Sequence, residues 1–264
     1  MIQRIGAGDP RLDPYRHIGD PAWLAGHHLF VAEGRLVVER LLALSTYTIY
    51  SILVTESALG AMKASLATAP CDVYTTEPAV IEAVTGFDFH RGCLALARRP
   101  PALTIGALTR ARCLVAVEGV GNPDNVGGLF RTAAALRAGG LVLDPSTADP
   151  LYRKAIRTSM AATLRLPWVR MDSWPEPLQA FRAAGFRLLA LTPEAGALGL
   201  DEVSAGIGPG DRFVLILGSE GAGLAKATLE LADARVRIPV DPAVDSLNVV
   251  VAAGIALAHL GHGR

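Results

Sequence analysis

Lysine is nearly missing from this chain, which carries only Lys63, Lys154 and Lys226. None of them stands in the Gly-Lys-Ser/Thr setting by which a Walker loop reaches phosphates, so that class of nucleotide site is excluded. Cysteine is scarce too: Cys71, Cys93 and Cys113 are odd in number and widely spaced, with no C-x-x-C pair and no histidines at zinc-ligand intervals. They read as reduced, structural thiols, and no metal site is expected. The formal net charge is zero, which argues against a chain that grips nucleic acid by bulk electrostatics and leaves a local patch as the route to any such contact. Nearly all the positive charge is arginine, whose planar fork pairs with phosphate bidentately. Although 51% of the residues are hydrophobic, no run reaches the roughly 18–20 apolar residues of a membrane span, so no membrane partner is expected. The opening MIQRIGAGDPRLDPYRH has no apolar core of a signal peptide, and Asp9 and Asp13 are unlike an acid-poor transit peptide; a cytoplasmic location is the expectation.

What is present is alternation. With 264 residues there is room for two domains or one large one. HHLFVAEG, TIYSILVTE, CDVYTTE and GCLALARRP read as strands, and RLVVERLLALS, SALGAMKASLATAP and PAVIEAVTG as the helices between them. This small α/β unit ends at a proline-bearing seam, which divides the chain into residues 1–99, a linker over 100–111 and a second unit over 112–264. The second unit alternates again, with strands near LVAVEG, GLVLD, LPWVRM, FRLLALT, FVLILG and ARVRIP. Several are almost continuously apolar, the pattern of a parallel sheet covered on both faces.

Three stretches of the second unit place turn-forming polar residues just past a strand, where open α/β sheets bind ligands. In GNPDNVGGLFRT, residues 121–132, a loop enters a helix with Asn125 as a candidate cap and Arg131 six residues further on. Free amides there favour anions, but ordinary turn chemistry produces the same pattern. The dinucleotide fingerprint fails, because its third glycine falls on Asp124, whose carboxylate would repel a pyrophosphate. FVLILGSEGAGL, residues 213–224, runs from strand into a glycine-rich turn around Glu220. VRIPVDPAVDSLNVVVAAGIALAHL, residues 236–260, passes from strand through a turn to Ser246, read as the cap of a long small-residue helix, with Asn248 a poor helix former two positions later.

Taken together, Pro123-Asp124-Asn125-Val126-Gly127 with Arg131, Leu217-Gly218-Ser219-Glu220-Gly221, and Ile238-Pro239 followed by Asp245-Ser246-Leu247-Asn248 resemble the three motifs of the SpoU (TrmH-like) branch of the SPOUT methyltransferases. DPLYRKAIRTSMAA, residues 149–162, is similar to the connecting segment of that family, and the first hundred residues look like its ribosomal-protein-like RNA-binding domain. The resemblance implies an α/β fold whose C-terminal segment is tied in a trefoil knot, although threaded chains are almost absent from proteins generally. It implies transfer of a methyl group from S-adenosylmethionine to a ribose 2′-hydroxyl of RNA, and a homodimer formed through the C-terminal helix. On the same grounds Leu191, Thr192, Leu217, Gly218, Glu220, Gly221, Ile238, Pro239 and Leu247 would line the cofactor pocket, with Arg131, Asn125, Glu220, Ser246 and Asn248 as the catalytic group.

A sulfonium methyl is already activated, so the protein has mainly to align an oxygen in line with it and assist loss of its proton. Arginine stays protonated in proteins, so Arg131 is read as gripping RNA phosphate and stabilising the developing alkoxide, with Asn125 holding Arg131 or the ribose. His90, Arg91, Arg98, Arg99, Arg153, Lys154 and Arg157 are the candidate phosphate contacts. The first unit favours ribosomal over transfer RNA as partner. A non-catalytic knotted RNA-binding protein and a small-molecule nucleotide enzyme stay open at this point.

Overall fold

The structure is a computed structural model, and the residues it describes are 1–86, 91–208, 210–241, 243 and 246–261. It divides into two compact units, Met1–Pro101 with Leu151–Leu164, and Ala102–Pro150 with Arg165–Arg264.

The first unit is built on a mixed sheet of β1 (Ile2–Arg4), β2 (Leu29–Glu33), β3 (Ile49–Val54), β4 (Asp72–Thr75) and β5 (Cys93–Arg98), in the order β1-β4-β3-β5-β2. β3 and β4 pair in parallel, while β5 runs antiparallel to both β3 and β2. Its core joins Val31, Leu53, Leu94 and Leu96 of the sheet to Ile81 and Val84 of the helix Pro78–Thr85, and to Leu12 and Tyr15 of the 3-10 helix Pro10–His17. The N-terminal stretch is therefore part of the core. The Tyr15 hydroxyl meets Ser51 Oγ at 2.8 Å, which satisfies a polar group at a fully buried position.

Two expectations about the domain pattern change here. Leu151–Leu164, read as part of the second unit, belongs to the first. Its helix Arg153–Thr158 packs on β2, Arg153 donates to the buried Glu33 at 2.9 Å, and the Tyr47 hydroxyl donates to the Leu164 carbonyl at 3.0 Å. Residues 100–111, read as a linker, are instead packed largely into the second unit, where Leu108 is fully buried among Leu114, Val142 and Phe181. Prolines keep that stretch from being helical, but its apolar side chains still seek the core.

The second unit holds a seven-stranded sheet of β6 (Cys113–Glu118), β7 (Leu141–Leu143), β8 (Trp168–Arg170), β9 (Phe186–Leu191), β10 (Leu198–Gly199), β11 (Arg212–Gly218) and β12 (Ala234–Arg237). All neighbours are parallel, in the order β10-β12-β9-β11-β6-β7-β8. The apolar runs Val115–Val117 and Phe213–Leu217 lie buried at the centre of that sheet, as continuous hydrophobicity requires when both faces are covered. The chain moves outward from β6 to β7 and β8, then returns across β6 to build the other flank. The carboxyl ends of β6 and β11 sit side by side at this reversal, with Gly218 paired to Glu118. No helix among the described residues is long and apolar enough to cross a membrane.

Candidate active site

The helix Pro123–Ala135 starts at Asn122, whose side chain accepts from the Asp124 amide at 2.9 Å, with Pro123 in the first helical position where its missing N–H costs nothing. Asn125 is therefore not the cap the sequence indicated: it lies inside the first turn, nearly buried. Free of capping, its amide donates to both carboxylate oxygens of Glu220, at 2.9 and 2.8 Å. Glu220 follows β11 in the tight turn where the Gly223 amide donates back to the Ser219 carbonyl at 3.0 Å.

The third member of this network is Asn248. The long C-terminal helix is Val249–Gly261, and Asn248 itself caps it, its side-chain oxygen accepting from the Val250 amide at 2.9 Å. Ser246, read as the cap, precedes the helix by two more positions. The Asn248 amide donates to Glu220 at 2.5 Å and to the Asn125 carbonyl oxygen at 3.2 Å. Gly128 favours the close approach: a Cβ there would lie 2.7 Å from Val250 Cγ2, so a larger residue would force Val250 or the helix to shift. Two amide side chains, one from the first turn of a helix and one capping another, thus hold the Glu220 carboxylate in place.

Beside this trio lies a cavity of about 440 Å³, within the roughly 300–1,000 Å³ range of small-molecule sites. Leu191 and Thr192 border it from the end of β9, Leu217, Gly218, Glu220 and Gly221 from the end of β11, and Ile238, Ser246 and Leu247 from beyond β12. Pro239 is the exception among the expected lining residues; Val240 borders the cavity in its place. Asp245 of the third motif lies outside the described residues.

Arg131 is exposed and stands apart from the trio. Six residues rotate a helix by about 600°, so Arg131 projects from a different face than Asn125; of the two roles read for Asn125, holding Arg131 or the ribose, the first is not seen, because its side-chain oxygen accepts from Asn248. The proposed phosphate contacts sit in the first unit. Arg91, Arg98 and Lys154 are exposed, and Arg98 is braced by the Tyr50 hydroxyl at 2.7 Å. Arg99 has its Nε on the Leu29 carbonyl at 2.9 Å, and Arg153 and Arg157 both pair with Glu33. His90 lies outside the described residues.

One positioning residue escaped the sequence reading. Glu118, nearly buried at the end of β6, accepts from the Ala225 amide at 2.9 Å and from Trp174 Nε1 at 2.8 Å. It ties down the segment that follows the Glu220 turn and carries Leu224 and Leu229 of the cavity wall. The only local signal is a carboxylate at the end of an otherwise apolar strand, since its partners lie 56 and 107 residues away. Glu118→Ala should lower stability by about 1–2 kcal/mol by removing the side-chain acceptor of the Ala225 amide, while Trp174 Nε1 keeps Thr228 Oγ1 at 3.1 Å, read as a shift in urea midpoint at constant slope; Glu118→Gln should recover part of it. Burial pushes the Cys71 thiol up to about 11 and the Cys113 thiol up to about 12, and pushes Cys93 up as well, so all three are held as thiols.

Residues 112–258 match the model of the SpoU rRNA Methylase family. An uncharacterized tRNA/rRNA methyltransferase of Mycobacterium tuberculosis is 40% identical over 253 residues, covering 94% of this chain and 87% of that protein. Among solved structures, an RNA 2′-O ribose methyltransferase superposes with a TM-score of 0.81 at 27% identity, covering 100% of this chain and 99% of that one. The fold is shared with the SpoU methyltransferase AviRb from Streptomyces viridochromogenes, solved with AdoMet, at a TM-score of 0.80 and 22% identity over 97% of this chain and 100% of that one. With the family model covering more than half of the chain and a relative of that identity along almost all of it, the chain belongs to the SpoU rRNA Methylase family.

Proposed function

We propose that this chain is an S-adenosylmethionine-dependent RNA methyltransferase that methylates a ribose 2′-hydroxyl, with ribosomal RNA as its substrate rather than transfer RNA. The observation that carries the reading is the Asn125–Glu220–Asn248 network at the edge of a cavity formed by strand ends and a glycine-rich turn. The names of its relatives, a tRNA/rRNA methyltransferase and an RNA 2′-O ribose methyltransferase, support the chemistry.

The residues fit the cofactor: Leu191, Leu217, Ile238 and Leu247 offer apolar surface for an adenosine, and the Gly218–Gly221 turn brings backbone amides and carbonyls close to it. When bound, S-adenosylmethionine supplies a methyl group already activated on a sulfonium sulfur. Asn125 and Asn248 hold the Glu220 carboxylate in one position, so that it orients its hydrogen-bonding partners in the cavity without reorganising. Arg131 grips the RNA phosphate and stabilises negative charge developing on O2′, while the hydroxyl proton leaves to phosphate or water.

The same reading includes a trefoil-knotted C-terminal segment, an RNA-binding role for the first unit and a cytoplasmic location. It also includes a homodimer through the helix Val249–Gly261. That helix buries Val249, Ala253, Ala256, Leu257 and Leu260 within its own unit and leaves Val251 half exposed for a partner.

The test is calorimetric titration with S-adenosylmethionine, run beside transfer of its labelled methyl group to ribosomal and transfer RNA kept apart. Label in the ribosomal fraction, at a phosphodiester made resistant to alkali, is the expected result. Cofactor binding without label in any RNA would favour the non-catalytic RNA-binding protein, and label only in transfer RNA would move the substrate.

A further inference from the structure

The first unit holds a second concavity, a groove of about 810 Å³ on the side of β2, bordered by Glu33, Gly34, Arg35, Glu39, Arg91 and Arg157. Glu33 is 5% exposed at the end of β2, and three arginines share its carboxylate. Arg153 donates to Oε2 at 2.9 Å, while Arg157 and Arg91 approach Oε1 at 3.5 and 3.6 Å. Exposure rises in that order of distance for the side chains of Arg153, Arg157 and Arg91, at 14%, 31% and 55%. Arg153 is thus the buried member, and the other two guanidiniums are gathered by Glu33 while still open to the groove.

The charges do not cancel. Arg35 is an exposed residue on the rim, so among the described residues that border the groove three arginines, Arg35, Arg91 and Arg157, face the two carboxylates of Glu33 and Glu39. Guanidiniums held in place by a buried carboxylate have already lost much of the rotamer freedom that binding would otherwise cost them. Arginine forks placed this way match the paired oxygens of a phosphate. The exposed Leu36 beside them gives apolar surface for a sugar or a base edge.

We infer that this groove is a subsite for the phosphodiester backbone of RNA, with Arg35, Arg91 and Arg157 as its contacts and Glu33 as the residue that positions the latter two. It rests on the reading of the chain as an RNA-modifying protein and adds where the first unit holds the strand. Arg35 and Arg91 are exposed, so replacing them leaves the fold intact.

The experiment compares the full-length protein with Arg35→Ala/Arg91→Ala in binding to ribosomal RNA across a salt series. The expected result is an affinity about tenfold weaker and a log–log salt slope reduced by about 1.4–1.8, since each single-strand or duplex phosphate contact contributes about 0.7–0.9. S-adenosylmethionine affinity should be unchanged. Arg4→Ala/Arg16→Ala removes the same charge from the same unit, at exposed ion pairs outside the groove. An equal loss there, or wild-type affinity and slope in the groove variant, overturns the subsite. So does Arg91-dependent binding of inorganic pyrophosphate with RNA affinity untouched, which would assign the groove to a free phosphorylated molecule. Label transferred to RNA with no change of slope removes the subsite and leaves the methyltransferase reading standing; a changed slope with no label does the reverse.

Discussion

Arg131→Ala is expected to slow methyl transfer to RNA by about 100- to 1,000-fold, the cost of removing one group that stabilises developing charge, and to leave S-adenosylmethionine affinity unchanged. The structure makes the two readouts separable. Arg131 is exposed on the helix Pro123–Ala135, takes no part in the Asn125–Glu220–Asn248 network and does not border the cavity. Truncating an exposed helix residue changes stability by only about 0.5 kcal/mol either way, so lost turnover would report chemistry and not folding. Single-turnover rates at saturating RNA measure the transfer step, and calorimetry measures cofactor binding. Arg131→Lys keeps the charge but loses the bidentate fork, and should fall between wild type and alanine. An alanine variant with wild-type turnover would remove Arg131 from the mechanism.

Gly218→Ala should weaken S-adenosylmethionine binding by about 100-fold or more, corresponding to roughly 2.7 kcal/mol. A Cβ at Gly218 would press into the carbonyl of Gly223 and stand 2.6 Å from the Leu224 amide nitrogen. Both obstacles are backbone, so the turn itself has to open, and strain of about 1–3 kcal/mol or more is the usual outcome of such overpacking. That turn carries Ser219–Leu224 along the cavity and presents Glu220 to Asn125. Gly221→Ala is the control: a Cβ there meets nothing within 4 Å, and its affinity should stay near wild type. Equal loss in both variants would mean that the turn's flexibility, and not its close packing, supports the site.

Much of the second unit was legible because its central strands are long, apolar and buried on both faces, as in Cys113–Glu118 and Arg212–Gly218. β1 and β10 are not legible as strands: they are three and two residues long and, unlike the equally short Leu141–Leu143, do not sit in an apolar run. The turn chemistry was recognised, but its assignment slipped at both helix starts. Asn122 and Asn125 are both plausible caps by residue type, and only the contact with Glu220 distinguishes them. The same holds for Ser246 and Asn248.

The domain boundary failed for a different reason. Leu151–Leu164 leaves the second unit because Arg153 and Arg157 reach a buried carboxylate on β2, and no local pattern tells a helix arginine which distant glutamate it will meet. By itself the sequence determined the alternating α/β class, the positions of the glycine-rich turns, and the residue types required at each of three loops. Only the tertiary structure decided that Asn125 meets Glu220 across 95 residues and Asn248 across 123. Those meetings depend on β11 lying against β6 with Gly218 opposite Glu118, and on a helix crossing at which Gly128 leaves room for Val250. Strand order and helix approach are set by burial summed over a whole unit, whereas a sequence read locally carries only the preferences of neighbours.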